Sequence, residues 1–239
     1  MPEASIAINR HAALQVRRVG TLQTPLISID EFAVDTRGLI EQACQASDYA
    51  PEASSRYPGL RAKLPPAYVR TVLDQLFPLL VQAYQVPQEL NMKPVNAVFS
   101  LITTAESVLA PGQCVPHFDS PRPHYLAILH YLNPGPFCDT GLFRHRATGL
   151  ERIGEDTLEE YNRARQAEDP PAQAYVKGST AQFELYERIE YRANRLVVYP
   201  GGLLHSGLVN PAVDIDPEPR SGRLTANIFV DFFPPSTRT

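Results

Sequence analysis

His117-Phe118-Asp119, joined far down the chain by His205 and then Arg223, is the set of residues best able to do chemistry. Two imidazoles and one carboxylate can occupy one face of an octahedral metal ion and leave three positions open. That donor set suits a non-haem Fe(II) that must admit oxygen. The spacing has a mechanical reason. In extended chain, residues i and i+2 point to the same side, so His117 and Asp119 can reach one ion from one segment. The second histidine must then come from a strand distant in sequence and adjacent in space.

Context decides the matter, because a chain with 6 His and 26 acidic residues produces an H-x-D triplet by chance. Pro116 precedes the triplet and Ser120-Pro121-Arg122-Pro123 follows it, which ends a strand and stiffens the loop edge. His205 follows an apolar strand, Leu196 to Tyr199, and a turn, Pro200-Gly201-Gly202. Arg223-Leu224-Thr225 opens an apolar, alternating run to Phe233, with Arg223 and Thr225 on one face. An arginine in such a run is costly unless an anion pairs with it. Other candidates carry less. Tyr57 and Arg61, with Arg122, can form an anion clamp over an open mouth, and His124 can contact substrate. His130 points to the face opposite Tyr131 and reads as structural; His145 and His11 read as exposed.

The elements that must position these residues are mostly strands. Val95–Thr104, Tyr125–Leu132, Gly141–Arg146, Arg195–Tyr199 and Leu224–Phe233 read as core strands, and Leu14–Val19 and Leu26–Ile29 as edge strands. Asp35–Ala46 reads as a short helix. Pro66–Tyr84 reads as a firm one, with an apolar stripe from Val69 to Ala83 and a bend or break at Pro78. Residues 48–66 read as a polar, proline-rich loop, and Glu155–Glu168 as a charged helix. Short strands with Pro/Gly turns, and helices on one side, predict an α+β protein with a closed or sandwiched β-core.

Composition narrows the function classes. The chain has 239 residues, 44% of them hydrophobic, which is ample for one domain with one sizeable core. Net charge −4 and a pI near 5.9 argue against a nucleic-acid partner, which needs a basic face. No run of about 18 apolar residues predicts a membrane span. Met1-Pro2-Glu3-Ala4 shows no secretory pattern, and Cys44, Cys114 and Cys138 fit neither a zinc site nor a disulfide framework. Free thiols in the cytoplasm are expected.

On these residues the chain resembles the Fe(II)/2-oxoglutarate-dependent dioxygenases, most closely their prolyl-hydroxylase-like branch. The matching pieces run in order from His117-Phe118-Asp119 through Leu129-His130-Tyr131-Leu132-Asn133, Thr140-Gly141-Leu142-Phe143, Asn194 to Tyr199, and His205-Ser206-Gly207 to Arg223-Leu224-Thr225. The resemblance implies a double-stranded β-helix (jelly-roll, cupin-like) core over 95–233. Residues 1–94 would supply N-terminal strands and helices packed on one sheet. It implies that His117, Asp119 and His205 hold Fe(II). It further implies that Arg223, Thr225 and Tyr131 bind the far carboxylate of 2-oxoglutarate, a dicarboxylate that would satisfy the buried guanidinium. With O₂, oxidative decarboxylation of 2-oxoglutarate would then be coupled to hydroxylation of a small molecule, amino acid or peptide. Asp119 fills the position that a halide takes in related halogenases, so halogenation is not expected. Two departures stand out. The stretch between His205 and Arg223 is long and acidic, which makes Arg220 a rival to Arg223, and residues 147–190 read as an insertion. A cupin-like isomerase or binding module, a zinc hydrolase and a catalytically silent barrel are the alternatives. A homodimer is left open.

Overall fold

The computed structural model describes residues 6–52 and 56–235; the first residues, Met1 to Ala4, lie outside them. In chain order the elements are β1 (Ala13–Val19), β2 (Thr24–Asp30), α1 (Arg37–Gln45), β3 (Ala50–Pro51), β4 (Gly59–Lys63), α2 (Pro66–Tyr84) and β5 (Asn91–Ile102). Then come β6 (Leu126–Tyr131), β7 (Thr140–His145), α3 (Leu158–Gln166), β8 (Phe183–Ile189), β9 (Leu196–Pro200), β10 (His205–Gly207), α4 (Pro211–Asp214) and β11 (Thr225–Phe233). The protein is α+β and mostly antiparallel sheet. One sheet has the order β1-β2-β9-β6-β11-β5-β4-β3, the other β10-β7-β8.

Alternation along the central strands sorts side chains to two faces. Leu126 and Ile128 of β6, Leu196 and Val198 of β9, and Ala226, Ile228 and Val230 of β11 form one core cluster with Leu39 and Ala43 of α1 and Val72, Leu76 and Leu80 of α2. The helices therefore cover one face of the large sheet. Each fully buried aliphatic side chain of α2 contributes roughly 2 kcal/mol of apolar burial, so this face is the stability reservoir of the fold. The intervening residues face the other way. Ala127, Leu129 and Tyr131 of β6, Val197 and Tyr199 of β9, and Phe229 of β11 pack with Leu142 of β7 and Ile189 of β8. The two sheets thus face each other across a second core.

Three sequence expectations are corrected. Residues 48–66 are not all loop, because Gly59–Lys63 pairs with β5 along its length. Gly59 opens this strand because a Cβ there would meet the Leu101 carbonyl oxygen at 1.9 Å. β2 is not an edge strand, since β9 hydrogen-bonds to its free side; β1 alone forms that edge. Pro78 does not break α2, which runs unbroken through it. Asp74, whose carbonyl loses its partner, and Pro78 both lie on the exposed face, so solvent can satisfy the freed group. β8, which lies inside 147–190 and was not foreseen, completes the small sheet beside β7.

Candidate metal centre and cavity

His117 and His205 are direct cross-strand partners. The His117 N–H donates to the His205 carbonyl at 2.9 Å, and the His205 N–H returns a bond to the His117 carbonyl at 2.7 Å. Their rings lie with centroids 4.5 Å apart. The Asp119 N–H is tied to the Gly201 carbonyl at 2.7 Å, which fixes the third residue two steps on along the same extended segment. Gly201 must be glycine here, because a Cβ would run into the Tyr125 ring at 2.5 Å and the Asp119 Cβ at 3.3 Å. Asp119 Oδ1 lies 4.0 Å from His117 Nε2, and Oδ2 lies 3.8 Å from His205 Nε2. One ligand atom from each residue falls within 4.8 Å of the others.

The protonation states suit a cation. The His205 Nδ1–H donates to the Leu203 carbonyl at 2.9 Å, which leaves Nε2 as the lone-pair nitrogen aimed at the cluster. His117 lines the cavity and is partly buried. Burial first, and then the neighbouring His205 and the positive charges of Arg56 and Arg61, hold its pKa well below the usual imidazole range, so it offers a neutral ring. Burial pushes the Asp119 carboxyl up, the sign expected of a carboxylate that lacks a cation. Asp119 Oδ2 is buried with no hydrogen-bond partner among the described residues. An orphaned carboxylate oxygen between two oriented imidazoles fits a divalent transition metal.

The same cavity extends to Arg223. Its lining includes the triad, Thr140, Thr225, Asn227 and Phe229, with Arg223 at one end. Arg223 is buried at 4% exposure, and its Nε donates to the Cys138 carbonyl at 3.1 Å. Its guanidinium carbon lies 5.4 Å from the Tyr131 ring centre and 5.5 Å from that of Tyr191. No carboxylate pairs with it among the described residues. Burial opposes its charge, yet its pKa stays above the ordinary guanidinium value beside the Cys138 thiol and the Tyr131, Tyr57 and Tyr191 phenols, and a guanidinium is cationic throughout the working range. Arg220, the rival, is exposed and pairs with Glu41 at 2.6 Å.

Of the remaining expected site residues, Tyr131 lies behind the wall. Its hydroxyl shares a 2.9 Å hydrogen bond with Thr140, which does line the cavity. Tyr57 and Arg61 line the cavity; Arg122 and His124 do not. The Arg122 guanidinium is drawn away by an ion pair with buried Asp231 and lies over the Phe233 ring. His124 packs edge-on against Phe232. His130 is structural: Tyr68 and Asn194 hold its two ring nitrogens at 3.1 and 3.0 Å. His145 is buried, not exposed, and bonds Thr148 and Glu168. Sequence reasoning passes over Arg56, Tyr175 and Asn227. Only Asn227 had a legible signal, as the next same-face residue after Arg223 and Thr225.

Fold and site together define an antiparallel α+β protein with a His-Asp-His cluster and a buried arginine in one cavity. The chain belongs to a family of unknown function (DUF6445), whose model matches residues 10–230. No curated protein matches it. Among solved structures, HygX from Streptomyces hygroscopicus with nickel and 2-oxoglutarate bound is similar at TM-score 0.46 and 13% identity, over 89% of this chain and 84% of that one. HygX with hygromycin B also bound gives TM-score 0.44 and 11% identity over the same shares. AviO1 from Streptomyces viridochromogenes Tue57 gives TM-score 0.41 and 11% identity over 95% and 91%.

Proposed function

We propose that this protein is a non-haem Fe(II)/2-oxoglutarate-dependent oxygenase that hydroxylates an unactivated C–H bond of a small molecule, amino acid or peptide. The observation that carries the reading is the buried Arg223, without a carboxylate partner among the described residues, in the cavity that also holds His117, Asp119 and His205. β10 connects the two ends. His205 belongs to the triad, and Gly207, two residues on, pairs with Thr140 and would bring a Cβ to 3.7 Å from Cys138 Sγ. Two residues of strand rise roughly 6.6 Å, a span suited to a short dicarboxylate with one end at the metal and the other at Arg223.

In this reading, bound Fe(II) with 2-oxoglutarate supplies the oxidising chemistry, and the protein orients and protects. Arg223 holds the far carboxylate by charge-assisted hydrogen bonds, and Thr225 donates a hydroxyl beside it. Tyr131 acts through Thr140, which its hydroxyl holds in place. Leu129, Tyr199 and Phe229 keep the wall apolar and dry. On this reading the two facing sheets would be the double-stranded β-helix of a prolyl-hydroxylase-like enzyme. The whole chain is read as one domain, working in the cytoplasm, in keeping with free Cys44, Cys114 and Cys138. No helix among the described residues is long and apolar enough to cross a membrane.

A zinc hydrolase needs a general base beside the metal-bound water. Apart from Asp119, no carboxylate lines the cavity among the described residues, and its two histidines are both in the triad. A cupin-like isomerase or binding module gives Arg223 no task. Anaerobic addition of Fe(II) and 2-oxoglutarate tests the proposal. A weak visible charge-transfer band that needs both additions is expected. Folded protein that binds Fe(II) yet gives no band would overturn it.

A further inference from the structure

The cavity mouth carries more positive charge than the metal and cosubstrate would use. Arg56 and Arg61 both line it, and both lie close enough to act on His117. Arg61 starts from β4 level with Ser100, which is itself level with Thr225. Its guanidinium runs along the wall to lie 4.7 Å from the Tyr57 ring centre and 5.8 Å from that of Phe229. Glu52 pairs with it and is itself held by the Asn96 amide at 3.1 Å. That pairing uses one edge of the guanidinium; Arg61 Nε stays buried with no hydrogen-bond partner among the described residues. Arg56 is exposed and makes no ion pair among them.

Charge bookkeeping on the proposed reading, upon which this inference rests, gives a definite sign. A divalent metal with Asp119, and a dianionic cosubstrate with Arg223, cancel to zero. Arg61 and Glu52 cancel as well. Arg56 remains, so the loaded cavity keeps one net positive charge at its mouth. Unpaired charge in a partly desolvated cleft attracts an ion of opposite sign and raises its local concentration. The same cavity is lined by four aromatic side chains, Tyr57, Tyr175, Tyr199 and Phe229, with Tyr199 packed against His205 and with Tyr57 and Phe229 under the Arg61 guanidinium. We propose that the primary substrate is a small monoanion with an aromatic or extended apolar body, its acid group held by Arg56 and Arg61. Its body lies along the aromatic wall, which presents an apolar C–H to the metal.

Calorimetry on the protein loaded with Ni(II) and 2-oxoglutarate tests this without turnover. The probes are N-acetylphenylalanine, N-acetylleucine and 3-phenylpropanoate, each against its primary amide. The acids should bind at least tenfold more tightly than the amides. Arg56→Gln and Arg61→Gln, each of which removes one positive charge, should each erase most of that preference while leaving 2-oxoglutarate affinity within about twofold. Acids and amides binding equally, or neither set binding, would overturn the inference. So would an acid preference untouched in Arg56→Gln. Failure of 2-oxoglutarate itself to bind the Ni(II)-loaded protein would instead sink the oxygenase reading, which separates the two.

Discussion

Replacing Arg223 by Gln is the most discriminating perturbation of this site. The guanidinium is buried, makes one hydrogen bond to the Cys138 carbonyl and lies near two tyrosine rings. Hydrogen bonds to a charged group contribute about 1.5–3 kcal/mol each, and truncating one partner of a buried charge pair costs about 2–5 kcal/mol. A loss of about 3 kcal/mol corresponds to roughly 150-fold in the Kd of 2-oxoglutarate. Stability should move little. The bond to Cys138 and the ring contacts contribute about 1 kcal/mol apiece, while the unpaired buried charge is itself a cost that Gln removes. Calorimetric titration of 2-oxoglutarate into the Ni(II)-loaded protein reads the effect, with Ni(II) affinity as the internal control. Arg220→Ala should change neither, because that side chain is exposed and pairs with Glu41. A Kd within threefold of the parent for Arg223→Gln would refute the assignment of the cavity's far end.

Asp119→Ala and His205→Ala should each weaken Fe(II) binding by more than tenfold while circular dichroism stays unchanged; stoichiometric iron in either variant would remove that residue from the centre. His130, whose pKa burial lowers from 6.5 to about 4, is neutral in the folded protein. The unfolded chain takes up its proton first, so this stability is complete above pH 6.5 and declines as pH falls toward 4, by about 3 kcal/mol in all. Chemical denaturation at pH 7 and pH 4.5 should show a smaller loss in His130→Gln than in the parent; equal losses would count against it. Pro78→Ala should restore the helical N–H that Asp74's carbonyl lacks and stabilise by roughly 1–2 kcal/mol, after allowance for a looser unfolded chain. The thermal midpoint should then rise by about 2–8 °C, and a lower one would contradict the geometry.

The parts of the site that were legible are those set by strand periodicity. The i, i+2 relation of His117 and Asp119 survives, although His117 forms only a single bridge to His205 and stands outside the longer strands. Arg223, Thr225 and Asn227 follow the same rule into one cavity. The parts that were hidden depend on pairing across long sequence separations. The Gly59–Lys63 strand lacks a strand signature because the residue it sends into the cavity is Arg61 and its first residue is a glycine forced by close backbone approach. Arg122 looked suited to a clamp because nothing local announces that Asp231, at the far end of β11, captures it. His145 in Arg144-His145-Arg146 looked exposed, yet its partners Thr148 and Glu168 come from the turn after β7 and the end of the α3 region.

The two backbone bonds that join His117 to His205 have a consequence for how the chain is tied together. The residues stand 88 positions apart, and the loop between them carries β6 through β9 and hence most of the small sheet. An ion shared by both side chains is a staple across that loop, and closing a long loop is where a cross-link removes the most freedom from an unfolded chain. Yet the ladder bonds already hold the two imidazoles side by side. The polypeptide gathers its own ligands, so the ion arrives as a lock on a door already shut.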